Sequence, residues 1–262
     1  MKEFNNIYNM IDVTPTSCAI LGIEEPSGSI GHVIEEITTD LSGYKKLCVL
    51  AMDAFGYYAY SLWNKKMPFL QSLHEKHSLI ISSVMPTITP VNFSTMITGT
   101  TLKAHGGNSM SSILKCETIF EVLEKNNMTG SGIGLKDFTG SRILGRYSQM
   151  PVIYPDDSQD IEWDDGFYNS FLPLVEKSPD FIIAQLGTID TVFHRFGPSS
   201  EKVVPMLQKT DEMLSKVVPM LNKKGYGVII LADHGQQDKV DVQGGTHGSA
   251  YWQSRLVPCT WI

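Results

Sequence analysis

The sequence predicts an α/β fold with a mostly parallel central sheet and helices on both of its faces. Two observations support this: apolar runs of strand length alternate with segments of helical periodicity, and the apolar runs are too continuous for half-exposed strands. The 262 residues are enough to bury one sizeable core, although length alone allows one or two domains. No internal repeat divides the chain, and we expect a single domain over residues 1–262.

The predicted elements alternate in order along the chain. Strands are predicted from their uninterrupted apolar runs at residues 46–53, 79–84, 181–186, 226–234 and 256–262. Helices are predicted from apolar periodicity and end signals at residues 12–22, 57–76, 93–98, 112–126, 166–177 and 199–223. Residues 130–165 are irregular and rich in Gly, Tyr and Asp, so they are either a candidate lid over a site or a surface excursion.

Composition and charge exclude several classes of protein. The chain is 42% hydrophobic and 19% charged, which is ordinary for a globular protein and not for a disordered one. Its formal net charge of -7 argues against a nucleic-acid polymer as partner. No stretch approaches the roughly 18 apolar residues of a membrane span, and no signal region begins the chain. We therefore expect a cytoplasmic protein without a membrane partner, while the oligomeric state is not indicated.

The cysteines show no spacing typical of a metal or redox motif. They are Cys18, Cys48, Cys116 and Cys259. Because they lie in apolar runs or helical patterns, we expect free thiols rather than disulfides.

Three predicted strands end in five side chains that bind metals well, and a sixth such side chain lies between glycines. These side chains are Asp53, Asp190, His194, Asp233, His234 and His247. Asp190 and His194 are four residues apart, so one helix face would present both. Each residue alone could be a helix cap or a solvated histidine. Because the ends of parallel strands meet at one sheet edge, the set predicts a common site.

The ligand chemistry predicts which ions such a site would hold. Six carboxylate and imidazole ligands suit two divalent cations with three protein ligands each, leaving positions open for substrate. Mixed nitrogen and oxygen ligands without thiolate favour zinc, manganese or iron over calcium. Such ions would attract a small phosphorylated substrate despite the negative charge of the protein.

A nucleophile is predicted after the strand at residues 79–84. Thr89 lies just before a predicted helix, where its hydroxyl would face the positive end of the helix dipole and a metal would activate it. Thr87 is a competitor, and an N-cap is the alternative role for Thr89. Asn108 could donate a hydrogen bond to a phosphate oxygen, or it could simply form a turn.

Six blocks of sequence, in this order, resemble a known superfamily. The blocks are Met52-Asp53-Ala-Phe-Gly56, Pro86-Thr-Ile-Thr89-Pro-Val-Asn92, Thr98-Gly99 with His105-Gly106, Asp190 to His194, Asp233-His234-Gly235 and His247-Gly248. The set resembles the alkaline phosphatase superfamily, closest to its type I phosphodiesterase/nucleotide pyrophosphatase branch, over residues 46–262. The sulfatase branch is disfavoured because the chain has no Cys-x-Pro-x-Arg segment.

The resemblance implies an alkaline phosphatase-like fold, two metal ions that are usually zinc, and a role for each matched residue. One ion would be held by Asp190, His194 and His247. The other would be held by Asp53, Asp233 and His234. Thr89 would bridge the ions as the nucleophile, and Asn108 would contact the phosphate.

The implied reaction is hydrolysis of phosphodiester or nucleotide pyrophosphate bonds through a phosphothreonine intermediate. The scarcity of arginines favours diesters, since a monoester usually needs extra positive contacts. The alternatives are a phosphomonoesterase, phosphomutase or phosphonate hydrolase of the same superfamily, or a metal-binding domain without catalysis.

The resemblance also predicts a circular permutation. Residues 11–37 look like the segment that normally follows the last strand of this superfamily, whereas here residues 256–262 come last. We therefore expect residues 11–37 to pack beside the strand at 256–262, with the termini close together.

Overall fold

The computed structural model describes residues 7–155 and 164–262, and eight strands in these ranges form one sheet. The sheet strands are β1 (Ile7–Asn9), β2 (Lys46–Met52), β3 (Leu79–Ser82), β4 (Gly130–Leu135), β5 (Val152–Tyr154), β6 (Phe181–Leu186), β7 (Tyr226–Leu231) and β10 (Leu256–Trp261), while β8 (Gln237–Asp238) and β9 (Gly245–Thr246) form a small separate ribbon. The sheet order is β1-β3-β10-β7-β2-β6-β4-β5. Only β10 runs antiparallel to its neighbours, so the predicted mostly parallel α/β fold is confirmed.

Helices connect the strands and cover the sheet. They are α1 (Val13–Leu21), α2 (Glu35–Asp40), α3 (Tyr57–Trp63), α4 (Pro68–His74), α5 (Thr89–Thr98), α6 (Leu102–His105), α7 (Ile119–Lys125), α8 (Gly145–Tyr147), α9 (Asp164–Lys177), α10 (Thr188–Phe196), α11 (Val204–Lys223) and α12 (Trp252–Arg255). Every residue of β6 and β7 is buried. Because successive strand residues point to opposite faces, the middle of the sheet is covered on both sides.

Two predicted helices are shorter than their sequence patterns indicated. The pattern at residues 57–76 is divided into α3 and α4, because Pro68 begins a new helix after a short 3-10 turn. The pattern at residues 112–126 becomes helical only at α7, where Thr118 forms a capping box with Glu121.

Two parts of the segment 130–165 are regular strands and not irregular chain. Residues 130–135 are β4 and residues 152–154 are β5, which extend the sheet beyond β6 at one edge. The prediction of irregular structure is therefore wrong for these two strands. The role of the segment as a lid or a surface excursion stays a prediction, and residues 156–163 lie outside the described residues.

Residues 7–9 and Asp40, which flank the segment 11–37, lie near the last strand, although β1 is not directly beside it in the sheet. β1 pairs with β3, which separates it from β10. Asp40, at the end of α2, accepts a hydrogen bond of 2.8 Å from the indole Nε1 of Trp261 in β10. The circular permutation itself stays a prediction, as does the single domain. None of the described helices is long and apolar enough to cross a membrane.

We expect Asp211 to stabilise the fold by capping α4 from a neighbouring helix. Its buried carboxylate, in α11, accepts backbone hydrogen bonds of 3.0 and 2.8 Å from Phe69 and Leu70 in the first turn of α4. Asp211→Ala should lower the free energy of unfolding in urea by about 1–2 kcal/mol, as loss of a helix cap does. The neighbouring Glu212→Ala is the matched control: its pair with Lys216 is exposed and screened by solvent, so its loss should change the stability far less. Equal losses in the two variants would contradict the capping role.

Candidate dinuclear metal site

The predicted ligands converge at the carboxyl edge of the sheet. Asp53 follows β2 directly, Asp233 and His234 follow β7, and helix α10 after β6 carries Asp190. These strands are neighbours in the order β7-β2-β6, so their ends lie side by side. Two overlapping groups could hold a metal, Asp190 with His234 and His247, and Asp53 with Asp233 and His234. The candidate ligand atoms of each group lie within 4.8 Å of one another.

The first group joins α10 to the loop that carries His247, and it contains His234 where the sequence predicted His194. His194 is not one of its three members, but it lies directly beside two of them. The Nε2 atom of His194 lies 3.3 Å from Oδ2 of Asp190 and 3.1 Å from Nε2 of His247. The Nε2 atom of His247 lies 3.6 Å from Oδ1 of Asp190. The i, i+4 spacing in α10 therefore presents both side chains on one face, as the sequence indicated.

The second group is deeply buried around His234. The Nε2 atom of His234 lies 3.3 Å from Oδ2 of Asp233 and 3.7 Å from Oδ1 of Asp53. The rings of His234 and His247 stack with centroids 4.2 Å apart. This stacking brings the two groups into one continuous cluster.

Each histidine of the cluster has a backbone carbonyl beside its Nδ1 atom. The carbonyl belongs to Gly245 at 3.2 Å for His194, to Thr87 at 2.9 Å for His247, and to Gly235 at 3.2 Å for His234. A carbonyl can only accept, so Nδ1 of a neutral ring must carry the proton. Each Nε2 is then left with its lone pair facing the cluster, which is the arrangement of metal-binding histidines.

The aspartates are each held through one oxygen, which leaves the other available. Ala54 donates its backbone N–H to Oδ1 of Asp233 at 3.1 Å, and Gln185 donates to Oδ2 of Asp53. The remaining oxygens, Oδ1 of Asp53 and Oδ2 of Asp233, are buried without a hydrogen-bond partner among the described residues. Buried acceptors without a donor are costly unless a cation or proton lies between them. The donor set therefore fits divalent cations.

The electrostatics of the cluster indicate the same need for positive charge. Burial, followed by the nearby charges of Asp233 and Asp190, raises the pKa of Asp53 well above its ordinary value. Burial raises the pKa of Asp233 to about 7 and lowers the pKa of His234 to about 3. Burial also favours a raised pKa for Asp190, but the hydrogen bond and charge of His194 hold it below its usual value. The two buried carboxyls thus resist ionising together unless a positive charge joins them.

The two candidate nucleophiles have different surroundings. The Oγ1 atom of Thr89 lies 3.2 Å from Nε2 of His234, and Thr89 is the first residue of α5 rather than its N-cap. Thr87 has no exposed surface, and its hydroxyl donates to the carbonyl of Ser249 at 3.1 Å and accepts the N–H of Gly248 at 3.0 Å. Thr87 therefore holds the loop of His247, whereas Thr89 faces the cluster.

Asn92 fixes the loop that carries Thr89. Its side-chain oxygen accepts the N–H of Val84 at 2.8 Å, and its amide nitrogen donates to the carbonyls of Val84 and Ile88 at 3.2 and 3.3 Å. One buried amide thereby ties the loop after β3 to the first turn of α5.

The structure does not connect Asn108 to the cluster. Its backbone N–H donates to the carbonyl of Gly106, and its side-chain oxygen accepts the hydroxyl of Ser112 at 2.9 Å. Asn108 is exposed, and both partners lie in its own loop. Its role as a phosphate contact stays a prediction.

Two glycines allow the loops after β2 and β7 to cross closely. A Cβ atom on Gly56 would lie 2.5 Å from the Cα atom of Gly235, and one on Gly235 would lie 2.1 Å from the carbonyl oxygen of Gln253. Larger residues would therefore separate Asp53 from Asp233.

The sequence did not reveal two buried glutamines that contact the cluster. Gln185 in β6 contacts Asp53, and Gln236 donates to Oδ1 of Asp190 at 2.6 Å. A polar residue inside an otherwise apolar strand was the available signal for Gln185. Gln236 directly follows the Asp233-His234-Gly235 block, which was the signal for that residue.

Comparison with solved structures supports the alkaline phosphatase-like fold that the sequence resemblance implied. Murine ectonucleotide pyrophosphatase/phosphodiesterase 5 is similar with a TM-score of 0.59 and 16% identity, over 75% of this chain and 58% of that one. Phosphonoacetate hydrolase from Sinorhizobium meliloti gives a TM-score of 0.57 at 17% identity, with the same coverage of 75% and 58%. At such identities, the likeness shows the fold alone.

Sequence comparison defines the family within this superfamily. The family model described as type I phosphodiesterase/nucleotide pyrophosphatase matches residues 47–111 and 108–252. The chain belongs to this family. Relatives include a venom phosphodiesterase of Naja atra, 30% identical over 73% of this chain, and ectonucleotide pyrophosphatase/phosphodiesterase family member 3 of Bos taurus, 25% identical over 71%. The chain spans only about a quarter of their length, 26% and 24% respectively.

Proposed function

We propose that the chain is a metal-dependent phosphoesterase that hydrolyses phosphodiester or nucleotide pyrophosphate bonds with Thr89 as nucleophile. The observation that carries the proposal is the position of the Thr89 hydroxyl, 3.2 Å from His234 Nε2 within a cluster of carboxylates and imidazoles. The names of the relatives, phosphodiesterases and nucleotide pyrophosphatases, support the same class of reaction.

Two divalent ions, for which zinc is the first candidate and manganese or iron the alternatives, fit the donor set. One would be held by Asp190, His194 and His247. The other would be held by Asp53, Asp233 and His234. When bound, such ions supply positive charge that stabilises the attacking and leaving oxygens of a phosphoryl transfer.

Each step of the proposed hydrolysis has an assigned group in the chain. The hydroxyl of Thr89 gives its proton to water and its oxygen forms a bond to phosphorus, while the bond from phosphorus to the leaving oxygen breaks. That oxygen departs as phosphate, or takes a proton from water and departs as an alcohol. The free N–H groups at the start of α5 would face the phosphate oxygens, as helix N-termini do, and Asn108 would add a further contact. Water then cleaves the phosphothreonine, which restores the Thr89 hydroxyl and releases the phosphoryl product.

The substrate is proposed to be a small phosphorylated molecule, with a nucleotide as the first candidate. An inactive form of the murine pyrophosphatase/phosphodiesterase 5 has been solved in complex with AMP. The scarcity of arginines in the sequence favours diesters over monoesters. A cytoplasmic location remains our expectation from the sequence, and the oligomeric state is open.

The test is elemental analysis of the purified protein together with a screen of nitrophenyl esters. We expect two equivalents of divalent metal, and turnover of bis(p-nitrophenyl) phosphate that exceeds turnover of p-nitrophenyl phosphate. A preference for the monoester or for a phosphonate ester would identify a phosphatase or phosphonate hydrolase of the same superfamily. Bound metal without turnover of any ester would identify a binding domain and overturn the proposal.

A further inference from the structure

Two buried glutamines contact the metal-binding carboxylates, one in each group. Gln185 is 2% exposed and Gln236 is 1% exposed. A buried amide loses free energy unless its groups are bonded. The side-chain oxygen of Gln236 has no hydrogen-bond partner among the described residues, so the amide nitrogen makes the bonds that hold this side chain.

Gln236 fixes Asp190. Its Nε2 atom donates to Oδ1 of Asp190 at 2.6 Å and to the backbone carbonyl of the same residue at 3.1 Å. Both partners are acceptors, so the amide must present its nitrogen, and its orientation follows from the chemistry. Because one amide nitrogen binds both the side chain and the backbone of Asp190, the carboxylate is held in one orientation. In that orientation its other oxygen, Oδ2, faces His194.

Gln185 fixes Asp53 and is itself held from the neighbouring segment. Its Nε2 atom donates to Oδ2 of Asp53 at 2.5 Å, and the hydroxyl of Thr139 donates to its Oε1 atom. The backbone N–H of Leu135, at the end of β4, lies 3.4 Å from the same Oε1 atom. This chain of bonds leaves Oδ1 of Asp53 as the oxygen that faces His234.

We propose that Gln185 and Gln236 are positioning residues that each set the metal affinity of one group, Gln185 for the Asp53 group and Gln236 for the Asp190 group. The inference rests on the proposed function, since it assigns residues to the same two ions. Donors that orient a metal-binding carboxylate typically contribute a factor of roughly 10–100 in metal affinity. Because each glutamine contacts a different group, the two effects should be separable.

The experiment measures zinc affinity by titration of the metal-free protein in competition with a chromophoric chelator. In the full protein, Gln236→Leu and Gln185→Leu should each weaken one of the two equivalents by roughly 10–100-fold and leave the other unchanged. A His194→Ala background assigns the sites, because it removes a ligand of the Asp190 group. In that background Gln185→Leu should weaken the remaining ion, and Gln236→Leu should not.

Two further variants separate positioning from general damage to the site. Thr139→Val removes the hydroxyl that holds Gln185 without touching a ligand, and should weaken the same ion as Gln185→Leu by a smaller factor. If Gln185→Leu does not fold, Thr139→Val alone tests the role of Gln185. Thr188→Val is the matched control, since the buried hydroxyl of Thr188 has no partner among the described residues, and it should leave both affinities unchanged.

The outcomes distinguish this inference from the proposed function. If the wild type binds two ions and the glutamine variants bind both with wild-type affinity, the positioning roles are wrong while the metal site stands. Equal weakening of both ions by either variant would also overturn the assignment of one glutamine to each group. If the wild type binds no zinc, the proposed function fails and the inference fails with it.

Discussion

Thr89→Ala is expected to reduce ester hydrolysis by roughly 10³-fold or more while leaving the metal content unchanged, because it removes the attacking atom and none of the carboxylates or imidazoles. The Thr89 hydroxyl lies 3.2 Å from His234, and no other hydroxyl in the described residues forms a hydrogen bond with that ring nitrogen. The measurement is kcat on bis(p-nitrophenyl) phosphate, with metal content determined on the same preparation.

Thr89→Ser provides the matched control for this prediction. It keeps a hydroxyl on the first residue of α5, so it should retain far more activity than the alanine variant. Thr89→Ala with near wild-type kcat would exclude Thr89 as the nucleophile. Thr87 would not replace it without rearrangement, because its hydroxyl already bonds Gly248 and Ser249.

The position of the candidate metal-binding cluster could be predicted from the sequence because most of its residues follow the ends of apolar strands. Asp53 comes directly after an apolar strand, and Asp233 comes two residues after another. In a parallel sheet such ends share one edge whatever the strand order, so the sequence predicts the edge. That the three strand ends lie side by side depends on the order β7-β2-β6. The contact of Asp190 with His194 followed from helical spacing alone.

The strand β4 could not be predicted because its residues have low strand propensity. Three of its six residues are glycine, and glycine weakens a strand pattern. The fold explains their presence: a Cβ atom on Gly132 would lie 2.3 Å from the carbonyl oxygen of Leu144. The close packing that requires glycine is a tertiary property, and the local sequence does not display it.

The glutamines were missed for a related reason. Gln185 contacts Asp53 because β2 and β6 pair in a register that sets Ala51 opposite Gln185. That register depends on which strands are neighbours in the sheet. The alternation of strands and helices along the sequence does not reveal which strands are neighbours. The direction of β10 was hidden in the same way, since a buried apolar strand looks alike whether it runs parallel or antiparallel.

Asp233→Asn is expected to stabilise the chelator-treated protein at pH 8, although it removes a proposed metal ligand. Burial raises the pKa of Asp233 to about 7 from an ordinary value of 3.8, so at pH 8 the folded chain carries an ionised carboxylate that it disfavours. The asparagine would keep the bond from Ala54 to Oδ1, and its N–H would face Nε2 of His234 in place of an oxygen without a donor. The gain in free energy of unfolding should be up to roughly 4 kcal/mol.

The pH dependence of this gain follows from the direction of the shift. Below about pH 4 the carboxyl is protonated in the folded and the unfolded chain, so ionisation of Asp233 adds nothing to the difference between variant and wild type. Between about pH 4 and 7 the unfolded chain has released the proton and the folded chain still holds it, so the stability of the wild type falls as the pH rises. Urea unfolding at pH 5 and pH 8 should therefore show the larger gain at pH 8.

With added zinc, the wild type should have a higher free energy of unfolding than Asp233→Asn, the reverse of the order in chelator. The wild type gains stability by binding the ion in the folded state only, whereas Asp233→Asn has lost an anionic ligand and gains less. Asp238→Asn is the control, because the carboxylate of Asp238 already accepts bonds from Tyr58 and Ser199 and should yield no gain at pH 8. A variant no more stable than the wild type in chelator at pH 8 would show that burial does not disfavour the ionised carboxylate of Asp233. The ionised carboxylates would then not destabilise the metal-free protein, so a bound cation would have no such cost to remove. The proposal of two cations would be supported only by the distances between the candidate ligands.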